Sequence, residues 1–539
     1  MALIFKSTFS MDSNSNKALA LSAKEIKDSL FVIGSWTLFG RVIGLFKDFL
    51  LASFLGIGAQ ADAFLLAFRI PNIFRATFAE GSIPAALVPV VSQLFKQDKT
   101  KRVRQLLTLT CGALGFIGLV SWGVILLWPK FILSLLASGL DHERQIMCVR
   151  FLQILFPLLL LFSQGSLVTS VLQAANSFRI NAVGPVIFNI ISIGVLLFGI
   201  YFNLSVEFVC VGFLLAGVIK LASKFFVLGA HELLPTVPGE ATRQDFVKVF
   251  YRFAPLSFGV VFSLLNACFE TQTASFLPVG QISLLHYMFR TFNLVLYTVA
   301  LPIENILLPQ LSKLDRNSVS DFSFYLQESC KLILILSFSA TILAVFLADK
   351  ITFLLLATQA NVGQLLFARD ILSILCFGTF FNIFNRVLGK FFFALGDTKT
   401  PTLIWGFSII CNIVLCVIFL MIFKLQGRAV IFSTVVSWII AATLKIFFLQ
   451  KNYSIKIQSK NIFVFLRKLL WQLIPALVFL LIAKSWIWSF LSTKLLVDYL
   501  FINNLIFISI VLIVFGWLIV FARRNTLCEF SKIYFIDID

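Results

Sequence analysis

The chain is short of acid and short of charge altogether. Its 539 residues hold 25 Asp and Glu against 44 Lys and Arg, and charged residues make up 13% of the total. Soluble domains carry about 25% charge, so a chain wetted over its whole surface is excluded. There are three histidines, and no His, Cys and Asp cluster has metal-ligand spacing. The nine cysteines are scattered, mostly through apolar segments and without a C-x-x-C pair, which reads as buried free thiols. Neither G-x-x-x-x-G-K-S/T nor G-x-S-x-G occurs, which argues against ATP-driven pumping and against a serine hydrolase. No acid pair suited to a membrane-embedded transferase stands out, so no enzyme activity, no metal and no resident cofactor are expected. The first 25 or so residues carry Lys6, Lys17 and Lys24 without an apolar core and cleavage site, so no cleaved signal peptide is expected.

What fills the space is hydrocarbon. The composition is 59% hydrophobic with 63 Phe, and the mean hydropathy is +0.98. Runs such as "LILILSFSATILAVFLA" (332–348) and "NNLIFISIVLIVFGWLIVFA" (503–522) approach or reach the roughly 20 apolar residues that cross a bilayer. Membrane barrels would show weak alternation instead. The spacing predicts an all-α polytopic membrane protein with about fourteen transmembrane helices. They fall near 30–56, 62–95, 106–128, 146–173, 181–203, 206–228, 247–277, 282–312, 326–348, 364–395, 400–424, 427–450, 465–490 and 499–523.

The loops "KQDKTKRVR" (96–104) and "KNYSIKIQSKNIFVFLRK" (451–468) and the "RR" at 523–524 are basic and fall on one side, while the opposite loops are nearly neutral. Both termini should therefore face the cytoplasm. The net charge of +19 is explained by this topology, so no nucleic-acid partner is expected.

An internal repeat appears at an offset of about 220 residues. "ALVPVVSQLFK" (86–96) aligns with "ILLPQLSKLDR" (306–316), "ASFLGIG" (52–58) with "ASFLPVG" (274–280), and "AANSFRINA" (174–182) with "ALGDTKTPT" (394–402). The expected organisation is a cytoplasmic segment (1–29), a first six-helix lobe (30–230), a pseudo-symmetric second lobe (247–450), two further helices (465–523) and a cytoplasmic tail (524–539). Two parallel six-helix halves suit an alternating-access transporter with substrate held between them.

Four of the spans carry polar stripes. Gly34, Thr37, Arg41, Gly44 and Asp48 share one face of the first, with Lys47 beside it. The second has Asp62, Arg69, Asn72 and Arg75, interrupted by Pro71, followed by Glu80. The seventh presents Gly259, Ser263, Asn266, Glu270 and Thr273, and the eighth His286, Arg290, Asn293, Tyr297 and Glu304. The repeat lays Glu270 over Asp48 and brings Arg290 near the image of Arg69. A charge at a helix centre costs about 2.5–3.5 kcal/mol on insertion scales, so these groups must face water or a partner. The bland alternative pairs Asp48 with a neighbouring helix, Asp62 with Arg69, and Glu304 with Arg290. Arg41, Lys47, Arg75 and Arg290 are the candidates for substrate binding, because several bases at membrane depth suit a phosphate. Asp48, Asp62, Arg69, Asn72, Glu80 and Asn293 are read as supporting the cavity. Arg386 and Lys390 form a further patch, with Lys390 expected to snorkel.

"ADAFLLAFRIPN" (61–72) and "FAEGSIPAALVP" (78–89), with "FALGDTKTPT" (393–402), resemble the MurJ (MviN) family of lipid II flippases in the multidrug/oligosaccharidyl-lipid/polysaccharide exporter superfamily. The resemblance covers most of the chain and is loosest at the last two helices. It implies a cationic, V-shaped cavity between two lobes, a groove for a polyprenyl tail at the final helix pair, and a place in the cytoplasmic (inner) membrane. It further implies translocation of lipid-linked peptidoglycan precursor from inner to outer leaflet, serving cell-wall synthesis and cell shape. The implied partners are that precursor and membrane lipids, with a cell-wall synthesis complex as a candidate. Family cavity bases carry over onto Arg41, Arg75 and Arg290, with Lys47 in place of the usual Arg and Phe289 where relatives commonly carry Asp. Asn266 and Glu270 are the candidates for a coupling monovalent cation. The competing readings are an exporter of another polyprenyl-linked saccharide and a non-transporting membrane scaffold.

Overall fold

The structure is a computed structural model and describes residues 23–75, 83–175, 177, 179–315, 318–356, 360–482 and the isolated positions 504, 507–509, 511 and 516. Among these residues the elements are all helical. Glu80, the fourteenth expected span and the expected tail (524–539) lie outside the described residues, isolated positions of the span apart.

Seventeen helices are described: α1 (Ala23–Leu55), α2 (Ala59–Phe74), α3 (Ile83–Lys96), α4 (Thr100–Leu127), α5 (Pro129–Leu136), α6 (His142–Leu155), α7 (Pro157–Ala174), α8 (Arg179–Tyr201), α9 (Val206–Ala230), α10 (Glu240–Ser275), α11 (Gln281–Lys313), α12 (Val319–Leu356), α13 (Val362–Phe377), α14 (Thr379–Ala394), α15 (Lys399–Met421), α16 (Gly427–Tyr453) and α17 (Ser459–Ile482). Nine helical stretches among the described residues are long and apolar enough to cross a membrane. Helices α1, α2, α10 and α11 carry the four polar stripes.

Two expected spans are each interrupted. The stretch 146–173 divides into α6 and α7 at Phe156, because Pro157 opens α7 and has no amide to continue the ladder. The stretch 364–395 divides into α13 and α14 at Gly378. The eight-residue α5 is too short to cross, and exposes Phe131 and Leu135.

In the first half of the chain α1 runs along α8, which packs on α9, while α2 packs on α6. Small residues let α1 and α8 approach: a Cβ on Gly44 would lie 3.1 Å from Asn189, and one on Gly40 would lie 3.2 Å from Val186. Edge-on aromatic contacts join Phe64, Phe151, Phe188, Phe213 and Phe162 into the core beneath the polar stripes. In the second half α15 packs on α16, and α11 and α12 on α13 and α14. Leu480 of α17 clusters with Leu347 of α12 and with Phe507 and Val511. The outer surface is apolar, with Phe116, Leu127, Phe226, Leu403 and Met421 exposed, as contact with acyl chains requires.

Helix α10 departs from its place in the repeat. It touches α15 and α16, but packs more extensively on α3 and α4 of the first half. Near its start Asp245 accepts from Arg102 of α4 at 2.5 Å and Thr242 bonds Gln105 at 2.9 Å. At its far end the amides of Ser138 and Gly139 donate to Gln272 and Ser275, each at 3.0 Å.

Candidate functional site

The stripes of α1, α2 and α11 converge on a cleft of about 330 Å³. Lys47, Asp48, Arg69, Asn72, Arg75, Asn189, Lys220, His286 and Arg290 supply its polar wall, and Phe68, Phe162 and Phe188 much of the rest. Five bases therefore face one space.

Asp48 is the node. Its side chain is 9% exposed and it meets Lys47 Nζ at 2.9 Å through one oxygen and Arg290 Nε at 2.5 Å through the other. The Arg290 side chain is 51% exposed, so its remaining guanidinium N–H groups stay open to the cleft. Lys47 is buried and also lies 5.8 Å from the centre of the Phe213 ring. Four residues before Arg290, one helical turn earlier, His286 lines the same wall.

A second ion pair crosses between the halves. Arg69 Nη2 meets Glu270 Oε2 at 2.5 Å, and Asn266 Nδ2 donates to the other oxygen of Glu270 at 2.8 Å. Asn72 donates to Phe68 O at 2.8 Å and accepts from Arg75 Nε at 3.0 Å, which aims the Arg75 guanidinium across the face of Phe162 at 5.6 Å.

Four of these residues take other places or partners than the polar stripes alone suggest. Asp62 is fully buried, but it is not part of the cleft wall and does not pair with Arg69. Its carboxylate accepts from the amides of Gly280 at 2.7 Å and Ser283 at 2.8 Å, with Arg144 at 3.5 Å. Gly280, at φ +86°, is the N-cap of α11 and has no side chain to cap with, so Asp62 of the other half supplies the acceptor and its charge suits the positive end of the helix. Glu304 pairs with Arg386, not Arg290, and Lys390 lies 3.8 Å away, so Lys390 has a partner as well as a route to the surface. Arg41 does not line the cleft. It rests on the ring of Tyr297 at 5.3 Å, with Arg386 also against that ring at 5.4 Å. Asn293 is half-buried on α11 and is likewise absent from the wall.

Lys220 was missed. It lies over Phe162 at 4.7 Å and Phe188 at 5.8 Å. The signal was present, because "KLASK" sets Lys220 and Lys224 four residues apart inside an otherwise apolar span.

The chain and its fold are similar to known proteins. A family model described as lipid II flippase MurJ matches residues 51–503. The chain is 25% identical over 469 residues to a probable lipid II flippase MurJ of Buchnera aphidicola, covering 86% of this chain and 91% of that one. It is 28% identical over 391 residues to the lipid II flippase MurJ of Burkholderia cenocepacia, covering 69% and 74%. Among solved structures, a lipid II flippase MurJ in an inward closed conformation matches with TM-score 0.73 at 21% identity, covering 92% of this chain and all of that one. An inward-facing multidrug resistance MATE family transporter of the MOP superfamily matches with TM-score 0.61 at 12% identity, covering 79% and 98%. At those identities the structural matches speak for the fold.

Proposed function

The chain belongs to the lipid II flippase MurJ family, and from that premise we propose that it carries lipid-linked peptidoglycan precursor from the inner to the outer leaflet of the cytoplasmic membrane. It is a transporter and not an enzyme. The observation that supports the reading is the cleft in which Lys47, Arg69, Arg75, Lys220 and Arg290 meet between helices of both halves. A pyrophosphate cannot enter hydrocarbon alone, since stripping water from its charges costs many kcal/mol. Guanidinium and ammonium groups in a wet cleft replace that water, while the polyprenyl tail remains in lipid.

In this reading the halves act as two lobes, with residues 30–230 and 247–450 rocking against each other and both termini in the cytoplasm. Asp48 and Glu270 hold the bases in place while the cleft is empty. The pyrophosphate then competes with Asp48 for Arg290 and Lys47, and the bond between the lobes loosens when substrate is present. Arg41 acts one step away, through Tyr297 and Arg386. In this reading Arg69 takes the place on Glu270 that a coupling cation would occupy.

Depletion of the protein in cells, followed by leaflet-resolved labelling of the precursor, tests the assignment. Precursor should accumulate inside. Undiminished precursor at the outer face after depletion would overturn it.

A further inference from the structure

Each half of the chain contains a helix broken in the middle, and the two breaks are held in the same way. In the first half α6 gives way to α7 at Phe156, and in the second α13 gives way to α14 at Gly378. These positions stand apart by the repeat offset of about 220 residues. Just before each break, a side chain from the preceding span takes a main-chain carbonyl. Trp122 Nε1 of α4 donates to Gln153 O at 3.1 Å, and Thr341 Oγ1 of α12 donates to Cys376 O at 2.7 Å. About two turns after each break a lysine does so again. Lys224 Nζ of α9 donates to Gly165 O of α7 at 2.8 Å, and Lys445 Nζ of α16 donates to Asn385 O of α14 at 2.9 Å. Donor and acceptor are both repeat images, Lys224 of Lys445 and Gly165 of Asn385.

We propose that Lys224 and Lys445 are positioning residues for transport, each tethering the second segment of a broken helix, so that α7 and α14 bend at their breaks without parting from α9 and α16. The proposal rests on the flippase reading above and adds a moving part within each half. Both segments carry pieces of the site. Phe162 of α7 lines the central cleft. Arg386 of α14 directly follows Asn385, pairs with Glu304 and shares the Tyr297 ring with Arg41. A carbonyl oxygen has two lone pairs, so it takes the ammonium without giving up its bond within the helix. An ammonium inside an apolar span is a costly way to make one bond between helices, and Thr341 makes such a bond with a neutral hydroxyl. What lysine adds is slack. Its flexible four-carbon stem and three N–H groups let the bond follow the carbonyl as the segment tilts.

The test uses the full-length chain in proteoliposomes containing lipid-linked disaccharide-pentapeptide. Lys445→Met, Lys224→Met and Lys445→Arg are compared with the parent for precursor binding, flipping rate, melting temperature and backbone hydrogen–deuterium exchange. Lys445→Met should flip at least tenfold more slowly while binding precursor within twofold of the parent. Lys445→Arg keeps a long cationic donor and should restore most of the parent rate. Exchange should rise in α14 and not in α7 for Lys445→Met, and in α7 and not in α14 for Lys224→Met. A merely structural lysine would lower the melting temperature and leave flipping by the folded protein at the parent rate, which overturns the proposal. So does a loss of flipping that Lys445→Arg does not restore, or a rise in exchange spread evenly over both segments. Should Lys445→Met not fold, Lys224→Met carries the same reading in the first half. A parent that binds the precursor without flipping it would sink the flippase reading alone, because the exchange patterns still decide whether these lysines hold α7 and α14.

Discussion

Asp48 and Glu270 hold equivalent places in the sequence repeat, yet the structure treats them differently. Each reaches a base on the other half of the chain, Asp48 meeting Arg290 of α11 and Glu270 meeting Arg69 of α2, both at 2.5 Å. Asp48 is buried and shared with Lys47, on a helix pressed against α8. The Glu270 side chain is 31% exposed and held additionally by a neutral amide, on a helix that has shifted toward the first half. A buried pair is costly to break because the surviving charge is stranded, whereas a pair wetted by the cleft is screened. The two bridges therefore divide the work: the inner one holds until an anion takes its bases, and the outer one opens cheaply.

The largest effect expected from breaking this contrast is that of Asp48→Asn. Lys47, only 4% exposed, would lose its carboxylate, with about 3 kcal/mol of stability lost and complementation of a flippase-depleted bacterium abolished. Thermal unfolding of the purified protein measures the first, and an unchanged melting temperature would refute the inner-bridge role. Next comes Arg290→Ala, which should reduce flipping at least tenfold yet cost under about 1 kcal/mol, since that side chain is half in water. Leaflet-resolved labelling beside thermal unfolding separates the two outcomes, and a large stability loss with normal flipping would reverse the assignment. Glu270→Gln should be milder in both respects. Combined with Arg69→Gln it should add little, and strict additivity in that cycle would mean that the two do not act as a pair.

The smallest effect comes from a carboxylate outside the bundle, which sets the baseline. Burial raises the Asp397 carboxyl, but hydrogen bonds from the Thr400 side chain and amide and from the Tyr453 hydroxyl outweigh that and hold it below its ordinary value. Its contribution is present above the pKa of the unfolded carboxyl and is lost as pH falls through the lower folded value. Asp397→Asn should slightly flatten the acid limb of a stability profile without altering flipping. A change in flipping would show that the loop between α14 and α15 takes part in the cycle.

Much of the cleft was legible because an ionisable residue in an apolar span is an anomaly, and helical spacing shows which of them share a face. The repeat relates Asp48 to Glu270 and brings Arg290 near the image of Arg69 from the sequence alone. Which acid meets which base was not legible, since it depends on how each helix is rotated about its axis. That is why Glu304 went to Arg386 and Asp62 to α11. The capping of Gly280 joins residues 218 apart in sequence, and no local pattern encodes it. The break before Pro157 could be read from a missing amide, whereas the break at Gly378 has no comparable local cause.

Helix α10 carries one further consequence. Its fastenings to Arg102 and Gln105 at one end and to Ser138 and Gly139 at the other lie about 30 residues apart, roughly 45 Å of helix. A rod pinned at both ends to one body cannot swing as a rigid lever with another. In the rocking proposed above, either a fastening lets go or the helix bows between them, and a bowed helix would return its elastic energy on the reverse stroke.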